Sequence, residues 1–349
     1  MSRLKKNILE NKDIYLLRNV NNAIIERHLL KPYEKILIAV SGGQDSVCLL
    51  RILYKLNTQW GWTLGIIHCD HRWNIDSQKQ ANQVAHLAAS MEIDYYQTIA
   101  IYPITNEVLA RDWRYNIIKN VALNNHYKVI ITAHTGTDRI ETLLFNLIRG
   151  TGLRGIQSLS WKRYLKYNQV IQTFFFRQKY QFLNRKIQFT KTIRGVTNQP
   201  NIQKLQISRP LLDLTRTEIR YLIEVWKLSS CVDRTNKNLQ IQRNRIRHRV
   251  LPYLRLYYNP KIDLALARWA EIVQYENIYF ERLVRYLLDK LQLSSEKTLS
   301  TSFSKLEVKI VSSLPVALQR RMIKKIFDQY TGKNLNFNSI EQIRLMIFS

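Results

Sequence analysis

Acidic residues are scarce in this sequence. The 349-residue chain has 26 aspartates and glutamates against 54 lysines and arginines, which leaves a formal net charge of +28 at pH 7. Such an excess makes the compact state repel itself unless a polyanion is the usual partner, so it favours nucleic acid as that partner. No apolar run approaches the roughly 18 residues of a spanning helix, and we expect no membrane partner.

Cysteine is also rare. The three cysteines stand far apart, at Cys48, Cys69 and Cys231. Their spacing provides neither a disulfide framework nor a C-x-x-C pair for zinc or redox chemistry, so we expect a reducing compartment and structural roles. The N-terminal segment has neither a secretory apolar region nor the acid-poor composition of a transit peptide, and we expect the protein to work where it is made.

Apolar and helical segments alternate in the first half of the chain. Hydrophobic residues make up 46% of the sequence, which is ample for a buried core. Strands are predicted at 36–40, 64–68, 95–101 and 129–133, and helices at 46–58, 77–91, 106–125 and 138–149. This order predicts an α/β fold with a doubly wound parallel sheet, whose ligands bind beyond the carboxyl ends of the strands.

The chain length favours two domains, at roughly 150 residues each. After the α/β part the pattern is helical, with an amphipathic helix at 214–226 and a basic helix at 242–251 that Pro252 ends. Segment 257–261 interrupts this periodicity. We predict an N-terminal helical segment at 1–34, a main domain at 35–257 and a smaller C-terminal helical domain at 258–349.

An acid-free stretch lies within the main domain. Between Glu141 and Asp213 the sequence has thirteen bases and no acid, and many aromatic residues accompany them in a predicted insertion at 161–204. Bases neutralise phosphates and aromatic rings stack on unpaired nucleobases, so the insertion suits single-stranded or looped RNA. A β-rich excursion whose aromatic residues form a core is the alternative.

A turn rich in glycine and serine joins the first predicted strand to the first helix. Its residues are Ser41, Gly42, Gly43, Gln44, Asp45 and Ser46. Glycines allow a tight turn with exposed N–H groups, and the helix N-terminus adds positive potential, so phosphate oxygens fit here. Asp45 could hold an accompanying Mg²⁺ ion. An ordinary capped turn is the alternative.

Several segments together resemble one family. The S-G-G-x-D-S turn is the pyrophosphate-loop signature of ATP pyrophosphatases, which cleave ATP between its α and β phosphates. Further segments resemble the tRNA(Ile)-lysidine synthetases, in their cyanobacterial and plastid branch: IIHCDHRWNIDS at 66–77, EVLARDWRY at 107–115, AHTGTDRIETLLFNLIRGTGLRGI at 133–156, RPLL at 209–212 and DRTNKNLQIQRNRIRHRVLP at 233–252.

The resemblance implies a Rossmann-like fold of the adenine nucleotide alpha-hydrolase type and a ligase that uses ATP and Mg²⁺. In this family the wobble cytidine of a CAU-anticodon tRNA(Ile) is adenylated, and free L-lysine then displaces AMP to give lysidine. Decoding changes from AUG to AUA. The resemblance also implies that the helical domain at 258–349 binds tRNA. Whether the protein forms a homodimer stays an open question.

Two carboxylates lie near the start of predicted helix 138–149. Its apolar stripe leaves Asp138 and Glu141 on another side, so both are expected to point away from the core, with Thr137 as N-terminal cap. A simple interaction with the helix dipole is the alternative. The resemblance implies that both carboxylates take part in catalysis and help to bind lysine and Mg²⁺, with His134 beside the same pocket.

Arginines form two further candidate groups. For Arg111, on predicted helix 106–125, the resemblance implies a place beside the reacting phosphate, where a fixed cation stabilises developing charge. A solvated ion pair with Glu107 is the alternative. The basic helix carries Arg243, Arg245, Arg247 and Arg249, of which the first and third share one face. The resemblance implies that these four help to seat tRNA.

Two other patterns are weaker. His68, Asp70 and His71 have zinc-like spacing but no fourth ligand nearby, and the resemblance implies instead that His68 borders the ATP pocket. Segment 150–155 fits G-x-G-x-x-G but follows a helix, which argues against a nicotinamide site.

Two other function classes stay open. A thiolating pyrophosphate-loop enzyme would normally need paired cysteines, which this spacing does not provide. A non-catalytic RNA-binding protein would explain the charge but not the intact loop at 41–46. The sequence D-H-R-W at 70–73, after the second predicted strand, resembles the cyanobacterial and plastid branch of the family. Together with the richness in Ile, Asn, Lys and Tyr it favours a plastid-encoded stromal enzyme, with a bacterial cytoplasm as the alternative.

Overall fold

A computed structural model describes most of the chain. The described residues are 2–72, 77–100, 104, 106–157, 159–165, 177–183, 186–191, 205–231, 238–291, 310–331 and 335–348. Much of the predicted insertion at 161–204 lies outside these ranges, so its RNA-contacting role stays a prediction.

Strands of the described residues form one eight-stranded sheet. They are β1 Lys35–Ala39, β2 Thr63–Asp70, β3 Asp94–Ile99, β4 Val129–Ile131, β5 Lys162–Leu165, β6 Arg177–Leu183, β7 Lys186–Lys191 and β8 Leu205–Ser208. Their order is β5-β8-β4-β1-β2-β3-β6-β7, with parallel pairing from β8 to β3 and antiparallel pairing at both edges. The predicted parallel sheet is confirmed, and its predicted strands match within two residues.

Helices connect the strands and form the C-terminal part. They are α1 Ser2–Glu26, α2 Gln44–Trp60, α3 Ser77–Ser90, α4 Glu107–Asn124, α5 Gly136–Ile148, α6 Leu153–Ile156, α7 Arg216–Val225, α8 Gln242–Arg245, α9 Leu251–Tyr257, α10 Ile262–Lys290, α11 Val316–Thr331 and α12 Phe337–Phe348. A π-helical turn, Ile246–Val250, joins α8 to α9. Pro252 does not end the basic helix as predicted, because it occupies the first turn of α9, where a missing N–H costs no hydrogen bond.

Apolar layers cover both faces of the sheet. Ile36 and Ile38 of β1 pack in one buried cluster with Leu50 of α2. Leu37, between them, belongs to a second cluster with Ile118 of α4. Side chains alternate across a strand, so these two clusters lie on opposite faces, and the predicted doubly wound arrangement is confirmed.

The strand order reverses beside β1, which has β2 on one side and β4 on the other. Ligands of such sheets bind at this switch point, beyond the carboxyl ends of the strands. The start of α5 lies close to the segment before α7, because the N–H of Gly136 donates to the carbonyl of Leu214 at 2.9 Å. A Cβ on Gly136 would come within 2.9 Å of the carbonyl oxygen of Leu212, so this approach requires glycine.

The chain divides into two compact units. One contains 1–150 and 158–267, and the other contains 151–157 and 268–349. In the second unit, Val284 and Leu288 of α10 form a buried cluster with Met322 of α11. The division falls inside α10. The domains predicted at 1–34, 35–257 and 258–349 stay a prediction.

Candidate active site

A cavity of about 830 Å³ lies at the carboxyl ends of β1, β2 and β4. Predicted site residues in its wall are Ser41, Gly43, Gln44, Asp45, Ser46, His68, Arg111, His134, Asp138, Arg243 and Arg247. Predicted residues outside the wall, all within the described ranges, are Gly42, Glu141, Arg245 and Arg249. The fold thus brings most of the predicted residues to one place, and their roles stay predictions.

Hydrogen bonds within the turn between β1 and α2 fix its conformation at the cavity wall. The hydroxyl of Ser46 donates to the carbonyl of Gly43 at 2.9 Å, and the N–H of Ser41 donates to the Ser46 hydroxyl at 3.2 Å. Gly42 has φ +87°, a conformation that favours glycine. Gly43 is the N-terminal cap of α2 and offers no side-chain acceptor, so the first N–H groups of the helix are available to an anion.

Asp45 is a carboxylate with little compensation from the protein. Its side chain is 29% exposed, and its nearest cation is Arg216, whose Nη2 lies 3.8 Å from Asp45 Oδ2. The pKa of Asp45 is raised to about 6, mainly by burial; Arg216 opposes this rise and the negative charge of Asp138 adds to it. The folded protein therefore disfavours the ionised form of Asp45, and a cation bound in the cavity would stabilise it.

The N-terminus of α5 is capped by Thr135 and not by Thr137 as predicted. The Thr135 hydroxyl accepts from the N–H of Asp138 at 3.2 Å, and Asp138 Oδ2 accepts from the N–H of Thr135 at 2.9 Å. This reciprocal capping box needs a hydroxyl and an acid three residues apart, which only Thr135 has with Asp138. The cap fixes the Asp138 side chain at the cavity wall.

The expectation that Glu141 points away from the core is wrong. Its side chain is 0% exposed, and both of its oxygens accept from Arg247, with Nε to Oε1 at 2.6 Å and Nη2 to Oε2 at 2.8 Å. The helical pattern of α5 shows which face of the helix carries Glu141. It does not show that Arg247 packs against that face and neutralises the carboxylate. Glu141 therefore orients Arg247 in the cavity wall, and its predicted binding of lysine stays a prediction.

Arg216 was missed by the sequence reasoning. Its Nη2 donates to Asp138 Oδ1 at 2.9 Å, and Arg247 Nη2 lies 3.7 Å from the same oxygen. Burial alone would raise the pKa of Asp138, but Arg216 and the hydrogen bond from the N–H of Thr135 oppose it, and the pKa is lowered. The capping pattern from Thr215 to Glu218 is visible in the sequence and marks Arg216 as a first-turn residue, but not its partner.

Both predicted histidines are neutral near pH 7. Burial, with Arg209 nearby, lowers the pKa of His134 to about 3, and burial also lowers the pKa of His68. Nδ1 of His68 lies 2.8 Å from the carbonyl of Val40, which requires an N–H on Nδ1. His134 is hydrogen-bonded to Thr132 at 3.0 Å. Neither ring therefore adds positive charge to the cavity.

Arg111 lines the cavity from α4. Its guanidinium lies 5.5 Å from the ring centre of Tyr115, one turn further along the helix. Arg114 and Tyr115 share the wall with it. Stacking of this kind limits the motion of the guanidinium, so Arg111 presents a positioned cation.

The four arginines of the basic helix do not all face the same surface. Arg243 and Arg247 line the cavity, and Arg243 donates to the hydroxyl of Thr142. Arg245 and Arg249 are exposed to solvent. The shared face predicted for Arg243 and Arg247 is therefore confirmed.

The cysteines and metal-like patterns add no further centre. Cys48 is buried as predicted, and burial raises the pKa of Cys48 and Cys69 to about 12, which leaves both thiols protonated. Among the described residues, no group of three His, Cys, Asp or Glu side chains could hold a metal ion. Within the same ranges, no helix combines the length and the apolarity needed to cross a bilayer.

Comparison with known proteins identifies the family. Residues 14–254 match the PP-loop domain family. The chloroplastic tRNA(Ile)-lysidine synthase of Staurastrum punctulatum is 46% identical over 374 aligned residues, which cover 99% of this chain and 76% of that protein. The chain belongs to the tRNA(Ile)-lysidine synthase family. A cyanobacterial member from Nostoc sp. is 34% identical, over 94% of this chain and 87% of its own length.

Membership of the lysidine synthase family confirms the predicted resemblance and the predicted ligase class. The chloroplastic relatives, from Staurastrum punctulatum and Zygnema circumcarinatum, confirm the predicted plastid location. Among solved structures, the U34-tRNA thiolase NcsA of Methanococcus maripaludis, with its 4Fe-4S cluster, aligns with a TM-score of 0.54 at 14% identity, over 76% of this chain and 80% of that one. This similarity shows a shared fold.

Proposed function

We propose that this protein joins L-lysine to C2 of the wobble cytidine in a CAU-anticodon tRNA(Ile), through an adenylated cytidine. The observation that supports it best is one cavity wall shared by the pyrophosphate loop, Arg111 and Asp138. A phosphate-binding turn, a positioned cation and an anion for an ammonium group are what the two half-reactions need. The names of the relatives support the tRNA substrate.

The loop at 41–46 binds the triphosphate of ATP through its N–H groups and the N-terminus of α2. Asp45 fits Mg²⁺, because Mg²⁺ typically takes one or two carboxylates together with substrate phosphates, and Asp45 is a partly buried carboxylate in the cavity wall whose nearest cation, Arg216, lies 3.8 Å away. Bound Mg²⁺ would neutralise charge on the leaving pyrophosphate.

In the first half-reaction the C2 oxygen of cytidine attacks the α-phosphorus of ATP, and pyrophosphate leaves. Arg111 stabilises the charge that develops on the α-phosphoryl oxygens, since it lines the cavity and is held against Tyr115. Orientation of the cytidine and ATP in one cavity makes the encounter nearly unimolecular. The product is an adenylated cytidine that is ready for displacement of AMP.

In the second half-reaction the ε-amine of lysine attacks C2 and AMP leaves. Asp138 holds the ammonium group, and the neutral ring of His134 beside it does not repel that charge. Because Arg216 occupies Asp138 Oδ1 in the free protein, lysine must compete with or displace this guanidinium. An ammonium with a pKa of about 10.4 must lose a proton to water before it attacks; the resulting amine forms the new bond to C2 as the bond from C2 to the oxygen of AMP breaks.

The two half-reactions can be tested separately. Pyrophosphate release should require a CAU-anticodon tRNA but not lysine, and AMP release should require lysine as well. Asp138→Asn should lower AMP release far more than pyrophosphate release, whereas Asp112→Asn, an exposed carboxylate on α4, should change neither. Pyrophosphate release without tRNA, or AMP release without lysine, would contradict the proposal.

A further inference from the structure

An exposed aromatic cluster lies on α9 and at the residue that follows it, outside the cavity wall. Tyr253, Tyr257 and Tyr258 are 54%, 68% and 71% exposed. The ring centre of Tyr253 lies 4.7 Å from that of Tyr257 and 5.9 Å from that of Tyr258. Leu256, 74% exposed, completes the patch. Single exposed apolar residues are common on proteins, but a cluster of contacting rings indicates a binding surface.

The helix beneath the cluster is anchored from its other side. Ile246 and Leu251 are buried in a cluster with Ile140 of α5. Arg255 holds α9 to the start of α10 through two hydrogen bonds to Asp263, at 2.6 and 2.8 Å. The tyrosines therefore stand on a fixed support, and a ligand would lose little entropy in ordering them.

The charge around the cluster favours a polyanion. Residues 234–262 contain eight lysines and arginines and no acid. Arg245 and Arg249 are exposed on the same segment, and Arg243 and Arg247 reach from it into the cavity wall. A second copy of a chain with a net charge of +28 would be repelled here. Exposed tyrosine rings on the same segment as exposed guanidinium groups suit unpaired nucleobases and their phosphates.

We propose that Tyr253, Tyr257 and Tyr258 form a stacking platform for an unpaired base of the RNA loop that presents the target cytidine. Arg245 and Arg249 bind the adjoining phosphates. The platform selects substrates whose loop has a second unpaired base within reach while the cytidine lies in the cavity. This inference rests on the proposed function for the identity of the RNA, and it adds a recognition site outside the reaction cavity.

The test uses the full chain and a CAU anticodon stem-loop RNA. 2-Aminopurine replaces each unpaired loop base in turn, except the target cytidine, and its fluorescence reports stacking. We expect the wild-type protein to quench at least one position. Tyr253→Leu should abolish this quenching and weaken binding roughly 5- to 100-fold, the usual loss when a base-stacking ring is removed. Tyr253→Phe should retain both, because the ring remains.

Controls separate stacking from charge and from folding. Tyr15→Leu removes a tyrosine that is 60% exposed on α1 and should change nothing. Arg245→Ala should lower the slope of log affinity against log salt by about 0.7, while the quenching persists at saturating protein. Circular dichroism should show unchanged helix content, since each altered side chain is exposed.

Several results would overturn the platform. They are equal affinity for Tyr253→Leu and wild type, equal loss in Tyr15→Leu, or a change of oligomeric state in Tyr253→Leu without a change in RNA affinity. If the wild type quenches the probe but makes no lysidine, the platform stands and the proposed function fails. If lysidine forms and no tyrosine variant alters binding, the function stands and the platform is wrong.

Discussion

Replacing Asp45 by Asn should stabilise the free protein at neutral pH. Burial raises the pKa of Asp45 from 3.8 to about 6, so the folded state disfavours the ionised carboxylate that predominates near pH 7. A shift of about two units corresponds to about 3 kcal/mol at about 1.4 kcal/mol per unit. Asn fills the same space without the charge, and most of this penalty should disappear.

The sign of the pH dependence follows from the direction of the shift. Between about pH 4 and about pH 6, the folded protein retains a proton on Asp45 that the unfolded chain has lost. Stability therefore falls as the pH rises through this range, and the penalty is complete above about pH 6. The gain from Asp45→Asn should be largest above pH 6 and shrink towards zero as the pH approaches about 4.

Urea unfolding without nucleotide measures this gain, with Asp112→Asn, exposed on α4, as the matched control. The same variant should lose most of the stabilisation that Mg²⁺ and ATP together give the wild type, because Asn offers the ion a neutral amide oxygen in place of a carboxylate. An Asn variant that is less stable than wild type at about pH 7.5, or whose gain is the same near pH 4, would refute this reasoning.

Three further changes test other parts of the site. Glu141→Ala should destabilise the protein by about 3–5 kcal/mol in urea unfolding, because Arg247 loses its buried partner; a cost below about 1 kcal/mol would contradict that pairing. Arg111→Ala should slow pyrophosphate release roughly 100- to 1,000-fold with ATP affinity little changed, and a loss of ATP affinity alone would argue against a role in adenylyl transfer. Thr135→Ala should cost about 1 kcal/mol in urea unfolding through loss of the α5 cap, and an unchanged stability would contradict that assignment.

Much of the fold was predictable because its central strands are continuous apolar segments buried on both faces. The segments that became β1 to β4 needed no distant partner to be recognised. The edge strands β5, β6 and β7 lie where a β-rich excursion was only the alternative, and their bounds were not predicted, since their sequences are basic and polar and their pairing with β8 and β3 is not local. Pro252 misled the prediction because proline is compatible with the first turn of a helix.

The site was predictable where its chemistry is local. The loop at 41–46 combines glycines, hydroxyls and an acid in six consecutive positions. Arg216 carries no such signal, because its partner Asp138 lies 78 residues earlier and meets it only where the starts of α5 and α7 adjoin. The burial of Glu141 depends in the same way on Arg247, 106 residues later.

Mass spectrometry of the tRNA nucleosides after incubation with ATP, Mg²⁺ and L-lysine tests the central claim most directly. A nucleoside with the mass of cytidine plus lysine minus water should appear in a CAU-anticodon tRNA(Ile), and should be absent when lysine or ATP is omitted. Unmodified cytidine under the complete conditions would contradict the assignment.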